Sequence, residues 1–135
     1  MIVADASVVI DLLLGRGSPA GEALAAHYQA GEVVGAPHLI DAEVGQGLRR
    51  FALAGDLSDT LATSLIDDLS DLPITRYPHR GLLARAFELR ANVTVYDGLY
   101  LALSEAVQSP LLTGDTALRD VPGCWAVVEV VATSA

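Results

Sequence analysis

At 135 residues, 52% of them hydrophobic and only 5% aromatic, the chain fits one domain spanning 1–135, with a core of Leu, Val and Ala. No apolar run is long enough to cross a bilayer, and the opening residues lack the basic start and uninterrupted apolar core of a signal, so a cytoplasmic protein with no membrane partner is expected. With 17 acids against 8 bases the formal net charge is −9, which repels nucleic acid at long range, and the lone Cys124 excludes an internal disulfide.

In chain order, short β-branched or apolar runs bounded by turn residues alternate with amphipathic stretches. Ile2–Asp5 reads as a strand, followed by helices over Ala6–Leu14 and Pro19–Ala30. Val33–Ala36 is the next strand, followed by helices over Pro37–Ala54 and Ser58–Leu72. Ile74–Tyr77 is the third, with helices over His79–Ala91 and Tyr96–Gln108 behind it. Pro110–Thr113 reads as a fourth strand, with one helical turn after Asp115, and Val127–Val130 as a fifth. Strands separated by helices imply right-handed crossovers and therefore an α/β fold. Its mainly parallel sheet of about five short strands is flanked by helices on both faces. Such sheets bind ligands beyond the carboxyl ends of their strands.

Four acids stand out against that frame. Asp5 in "DAS" ends the first strand and Asp115 in "LLTGDTAL" follows the fourth, so both fall on the carboxyl rim. Each also opens a helix and reads equally as an N-cap. Asp97 in "VTVYDGLYLALSEA" opens a helix whose next residues are almost all apolar, again a cap or an inward acid. Glu43 in "APHLIDAEVGQGLRRF" lies in mid-helix, where capping is impossible, on a stripe with Leu39, Gln46, Gly47 and Arg50. It reads either as half of an ion pair with Arg50 or as a ligand. Asp41 falls on roughly the opposite face.

If the four meet, their repulsion calls for a cation, and hard oxygen donors select Mg²⁺ or Mn²⁺ over zinc. Ser7 and Thr113 place hydroxyls beside two of the acids, suited to orienting bound water or substrate. Asp120 reads as surface, with support of a second ion as the other possibility; His27, His38 and His79 share no ligand spacing and read as structural.

Together "MIVADASVVIDLL", "APHLIDAEVGQGLRR", "VTVYDGLYLALSEA" and "LLTGDTAL" resemble the PIN-domain ribonucleases, and among them the VapC-type toxins of bacterial toxin–antitoxin pairs. The likeness runs through nearly the whole chain in the right order. It implies a metal-dependent endoribonuclease in which Asp5, Glu43, Asp97 and Asp115 are the catalytic, metal-holding quartet, with Thr113 at the usual hydroxyl position. It also implies cleavage of RNA, commonly structured RNA such as tRNA, to 5′-phosphate and 3′-hydroxyl ends, and restraint by a VapB-type antitoxin. Gly114 stands where alanine is more familiar. Arg49, Arg50 and Arg80 are candidates for phosphate contacts, and "LATSLIDDL" and "LLARAFEL" for an antitoxin groove or a homodimer contact.

A non-catalytic PIN-like module that binds a partner is the alternative. Phosphatases and receiver domains that phosphorylate an aspartate also build acid pockets on parallel sheets, but they rely on a lysine. All eight bases here are arginine.

Overall fold

In the computed structural model, which describes residues 1–134, the first apolar run forms β1 (Ile2–Ala4), buried along its length. It lies inside the sheet because both edges are paired in parallel. Ile2 and Val3 register with Val34 and Gly35 of β2 (Val34–Pro37), and Val3 and Ala4 with Leu111 and Leu112 of β4 (Leu111–Thr113). A strand covered on both edges and both faces has no place for a solvent-facing side chain, hence its unbroken apolar run. β3 (Thr75–Tyr77) extends the sheet beyond β2, and β5 (Val128–Val130) beyond β4. Every pairing is parallel and the order is β3-β2-β1-β4-β5. The chain runs outward from β1 to β3, then returns to β4 on the other side of β1. The direction of winding thus reverses between β1 and β4, where a doubly wound sheet opens its binding crevice.

α1 (Ala6–Leu14) and α2 (Pro19–Gln29) follow β1. α1 stops at Gly15, whose φ of 62° is the left-handed conformation that glycine adopts without a Cβ penalty. α2 starts on a Ser18 cap with proline at its first position. α3 (Leu39–Leu53) and α4 (Asp59–Asp71) join β2 to β3; α5 (Leu83–Glu88) and α6 (Val95–Val107) join β3 to β4. Buried Val8, Val9, Ile40, Val44, Leu101 and Leu103 pack these helices over the sheet. α6 approaches α5 so closely that a Cβ on Gly98 would stand 2.9 Å from the Ala86 carbonyl oxygen. That contact anchors the first turn of α6, which carries Asp97.

Two helices start more than one residue later than the sequence reading. Pro37 does not open a helix but ends β2 opposite Tyr77, beyond the last residue of β2 in register with β1. α3 therefore begins at Leu39, and its first N–H donates to His79 Nε2 at 2.8 Å. The expected helix over His79–Ala91 shortens to Leu83–Glu88, because a turn closed by the Leu82 N–H on the His79 carbonyl (2.9 Å) precedes it.

Both apolar stretches singled out as contact candidates are split in two. Leu65 and Leu69 of α4 and Leu82, Ala86 and Leu89 around α5 are core, whereas Leu61, Ile66, Leu83 and Phe87 face solvent. No helix among the described residues is long and apolar enough to cross a membrane.

Candidate active site

Asp5 leaves β1 in extended conformation and caps α1, its Oδ1 accepting the N–H groups of Ser7 (3.1 Å) and Val8 (3.3 Å). The capping reading is thus correct, and it does not exhaust the residue. The Ser7 hydroxyl donates to Oδ1 at 2.6 Å, and the Thr113 hydroxyl, at the end of β4, donates to Oδ2. Burial pushes the Asp5 carboxyl above its ordinary range, and these four hydrogen bonds only partly offset it.

Thr113 is fully buried and works in two directions, since its Oγ1 also accepts the Asp115 N–H at 3.0 Å. Ser7 does likewise, accepting the Gly114 N–H at 3.0 Å. The ends of β1 and β4 are therefore stitched together by two hydroxyls. Asp115 itself is exposed and caps a short 3₁₀ turn (Thr116–Leu118), accepting the Ala117 N–H at 2.9 Å.

The other two acids approach from helices. Asp97 is not the cap of α6: that role belongs to Thr94, whose hydroxyl accepts the Asp97 N–H at 3.1 Å. Asp97 stands three residues later, inside the first turn. Burial raises its carboxyl above the ordinary range, the Asp115 and Asp5 charges raise it further, and the Thr94 hydroxyl acts against them. Glu43 projects from mid-α3, where its Oε1 accepts the Tyr100 hydroxyl at 2.7 Å. It too is raised, first by burial and then by Asp97 and Asp5, with Tyr100 and, least of the five influences, Arg50 lowering it. Among the described residues no ion pair joins Glu43 to Arg50, which removes the ion-pair reading. The four acids thus share one electrostatic neighbourhood at the crevice between β1 and β4.

The chain matches the PIN domain family over residues 2–123. It is 42% identical over 130 residues to Ribonuclease VapC1 of Mycobacterium tuberculosis, covering 96% of each chain. Ribonuclease VapC9 of the same species is 37% identical over 131 residues, with 97% of this chain and 98% of that one covered. This chain belongs to the PIN-domain family, among its VapC-type members.

PIN-domain architecture also appears in the solved structures it resembles. VapBC2 from Rickettsia felis, bound to a promoter DNA fragment, superposes with a TM-score of 0.68 at 12% identity, covering 97% of this chain and 99% of that one. A toxin–antitoxin complex from Klebsiella pneumoniae gives 0.65 at 20% identity, with 96% and 97% covered. At those identities the likeness is one of fold.

Around the PIN-domain rim, a groove of about 720 Å³ runs between α1 and α3, lined among others by Ser7, Glu43, Arg50 and Phe51. Of the three candidate phosphate contacts, Arg50 lines this groove; Arg49 and Arg80 are exposed elsewhere on the surface. Arg16, which the sequence did not single out, also lines it, donating to the Asp56 carbonyl at 3.3 Å beside the Phe51 ring. Tyr100 was the other omission. It reads as one apolar residue in an apolar helix face, yet it sits three residues after Asp97, the spacing that puts two side chains on the same side of a helix. Asp120 lines a separate small cavity with Arg119 and Cys124, away from the quartet. Asp41 is engaged by Arg76 at 2.7 Å, consistent with its place on the opposite face of α3.

The donor set suits a hard divalent ion: carboxylate oxygens only, three of them on carboxyls raised by burial, which a nearby cation would lower again. Among the described residues no three of these groups are drawn into a tight ligand cluster.

Proposed function

We propose that this protein is a VapC-type endoribonuclease toxin that hydrolyses RNA phosphodiesters at the Asp5–Glu43–Asp97–Asp115 rim with Mg²⁺ or Mn²⁺. The observation that carries this reading is the mutual influence of acids brought from β1, α3, α6 and the end of β4 to one crevice, where Asp97 acts on Glu43 and Asp115 on Asp97. The ribonuclease names of relatives at 37–42% identity over nearly the full length support the same class of reaction. The quartet would hold the ion through carboxylate oxygens. An ion held there would supply positive charge against the scissile phosphate and make water easier to deprotonate.

The chain's own residues do the positioning. Ser7 and Thr113 fix both oxygens of Asp5, and Tyr100 fixes one oxygen of Glu43, a residue that lines the groove. Arg50, beside Glu43 in the groove, is placed to draw in a phosphate that the net charge of −9 otherwise repels; Arg49 and Arg80 would act farther out. No protein nucleophile is required, so direct attack of water leaves 5′-phosphate and 3′-hydroxyl ends. Structured RNA such as tRNA, a VapB-type antitoxin, a homodimer and a cytoplasmic setting complete the reading. The solved toxin–antitoxin complexes of the same fold support the antitoxin.

The test is cleavage of RNA by purified protein with Mg²⁺ or Mn²⁺ and its loss in chelator. Asp5→Asn and Asp97→Asn should each lower the rate by at least about 100-fold while circular dichroism shows an unchanged fold. Wild-type cleavage by either variant would overturn the assignment. Absence of cleavage by the wild type under both ions would favour the partner-binding module.

A further inference from the structure

After β5 the chain continues as a strap over the site. The Val131 N–H donates to the Thr113 carbonyl at 2.9 Å, and the Ala132 carbonyl accepts the Ala20 N–H at 3.0 Å. Ser134 then closes on α1: its N–H and hydroxyl donate to the two carboxylate oxygens of Asp11 at 2.7 and 2.9 Å. Asp11 is only 3% exposed, and no role in the rim accounts for a buried acid there. Its two oxygens are satisfied by the strap, which explains how a carboxylate is tolerated at that depth.

Between these anchors, Thr133 lies directly on Gly114. A Cβ on Gly114 would stand 2.2 Å from Thr133 Cγ2, closer than any packing allows, and 3.2 Å from Ser7 Oγ. The φ of Gly114 is outside the left-handed region, so glycine is present there for space and not for backbone conformation. Gly114 is also the residue whose N–H donates to Ser7 and whose neighbours are Thr113 and Asp115. Thr133 and Ser134 line the same groove as Ser7 and Glu43.

We propose that Thr133 is a positioning residue for the acidic rim: the strap latched on Asp11 seats its methyl on Gly114 and fixes the turn through which Ser7 and Thr113 hold Asp5 and Asp115. Gly114 and Thr133 form a matched pair, one residue small because the other occupies its space. Displacement of this turn moves the hydroxyls that orient Asp5, and errors of about 1 Å in such a shell cost up to about 100-fold in rate. The proposal rests on the ribonuclease reading of the rim.

The test is a double-mutant cycle of Gly114→Ala and Thr133→Ala with Thr133→Val as the conservative control, read as kcat and KM on RNA and, independently, as melting temperature. Gly114→Ala should lower kcat by at least about tenfold with little change in KM, and Thr133→Ala by about threefold. The double variant should be no worse than Thr133→Ala alone, because the methyl that clashed is gone, and the melting temperatures should be non-additive in the same sense. Thr133→Val, which keeps the methyl, should match the wild type. Additive losses in kcat and melting temperature, or Thr133→Ala equal to wild type in kcat, would overturn the proposal; the latter decides even where Gly114→Ala does not fold. Should the wild type not cleave RNA, the ribonuclease reading fails while the melting cycle still decides whether the pair is coupled.

Discussion

Asp97 is where the demands of stability and of chemistry conflict most openly. Thr94 already caps α6, so the Asp97 carboxylate is not needed by the helix end and sits half-buried facing other acids. A carboxyl raised above its ordinary value of 3.8 holds its proton better folded than unfolded. Between the two pKa values the native state therefore binds more protons, and stability falls as pH rises through that window. In chelator at neutral pH, Asp97→Asn should consequently melt higher than wild type by a few degrees, and the gap should narrow as pH falls through the raised folded value and close by about pH 4. Differential scanning calorimetry checks this, and a lower melting point for the variant would mean that the carboxylate stabilises the first turn of α6 after all. At this scale the sequence pointed to the four acids and to Ser7 and Thr113, whose hydroxyls hold Asp5, but not to Tyr100. Inward acids in an apolar helix face or at a strand end are conspicuous. Tyr100 is not, because a tyrosine inside an apolar run looks like core until the partner across the crevice is known.

At the scale of elements, strand positions were legible to within about a residue because each strand is a short apolar run between turn residues. Helix starts were less so. Pro37 carries equal local licence to end a strand or begin a helix, and the choice is made by Tyr77, forty residues away, and by His79, whose ring accepts the first N–H of α3. The short α5 is likewise held by tertiary contacts. Arg85 spans it, donating to both oxygens of Glu105 on α6 at 2.7 and 3.0 Å and to the Gly123 carbonyl at 2.7 Å, and lying 4.3 Å from the centre of the Trp125 ring. Burial alone would raise Glu105, but Arg85 and the Trp125 N–H outweigh it and hold the carboxyl below its usual range. The stability this supplies is present above the unfolded value of 4.5 and is lost as pH falls through the lower, folded value. Arg85→Met should therefore cost roughly 2 kcal/mol at neutral pH by leaving Glu105 buried and unpaired, and much less at a pH near 3. Urea denaturation at the two pH values checks it; an equal loss at both would assign the role of Arg85 to packing on Trp125 alone.

Across the whole molecule, the proposed function predicts an inhibitor that brings an arginine to the acidic rim of a chain whose net charge is −9. The groove beside Glu43 joins that rim to an apolar wall containing Ile10 and Phe51, so one short segment can present a guanidinium to carboxylates and an apolar side chain to the wall. A guanidinium binds carboxylates in fork geometry and supplies the positive charge the raised acids lack, which sets it in competition with a divalent ion. A small basic VapB-type antitoxin built this way would need no contact with the sheet and would leave the fold unchanged. Its complex with this protein, obtained by co-expression, should be inactive on RNA, and replacement of the inserted arginine by alanine should restore cleavage while binding persists through the apolar contact. Excess Mn²⁺ should relieve inhibition of the wild-type complex in part, because ion and arginine compete for the same oxygens. A complex that assembles yet cleaves RNA at the free enzyme's rate would place the antitoxin elsewhere on the surface, with the exposed Leu83 and Phe87 of α5 as the next region to test.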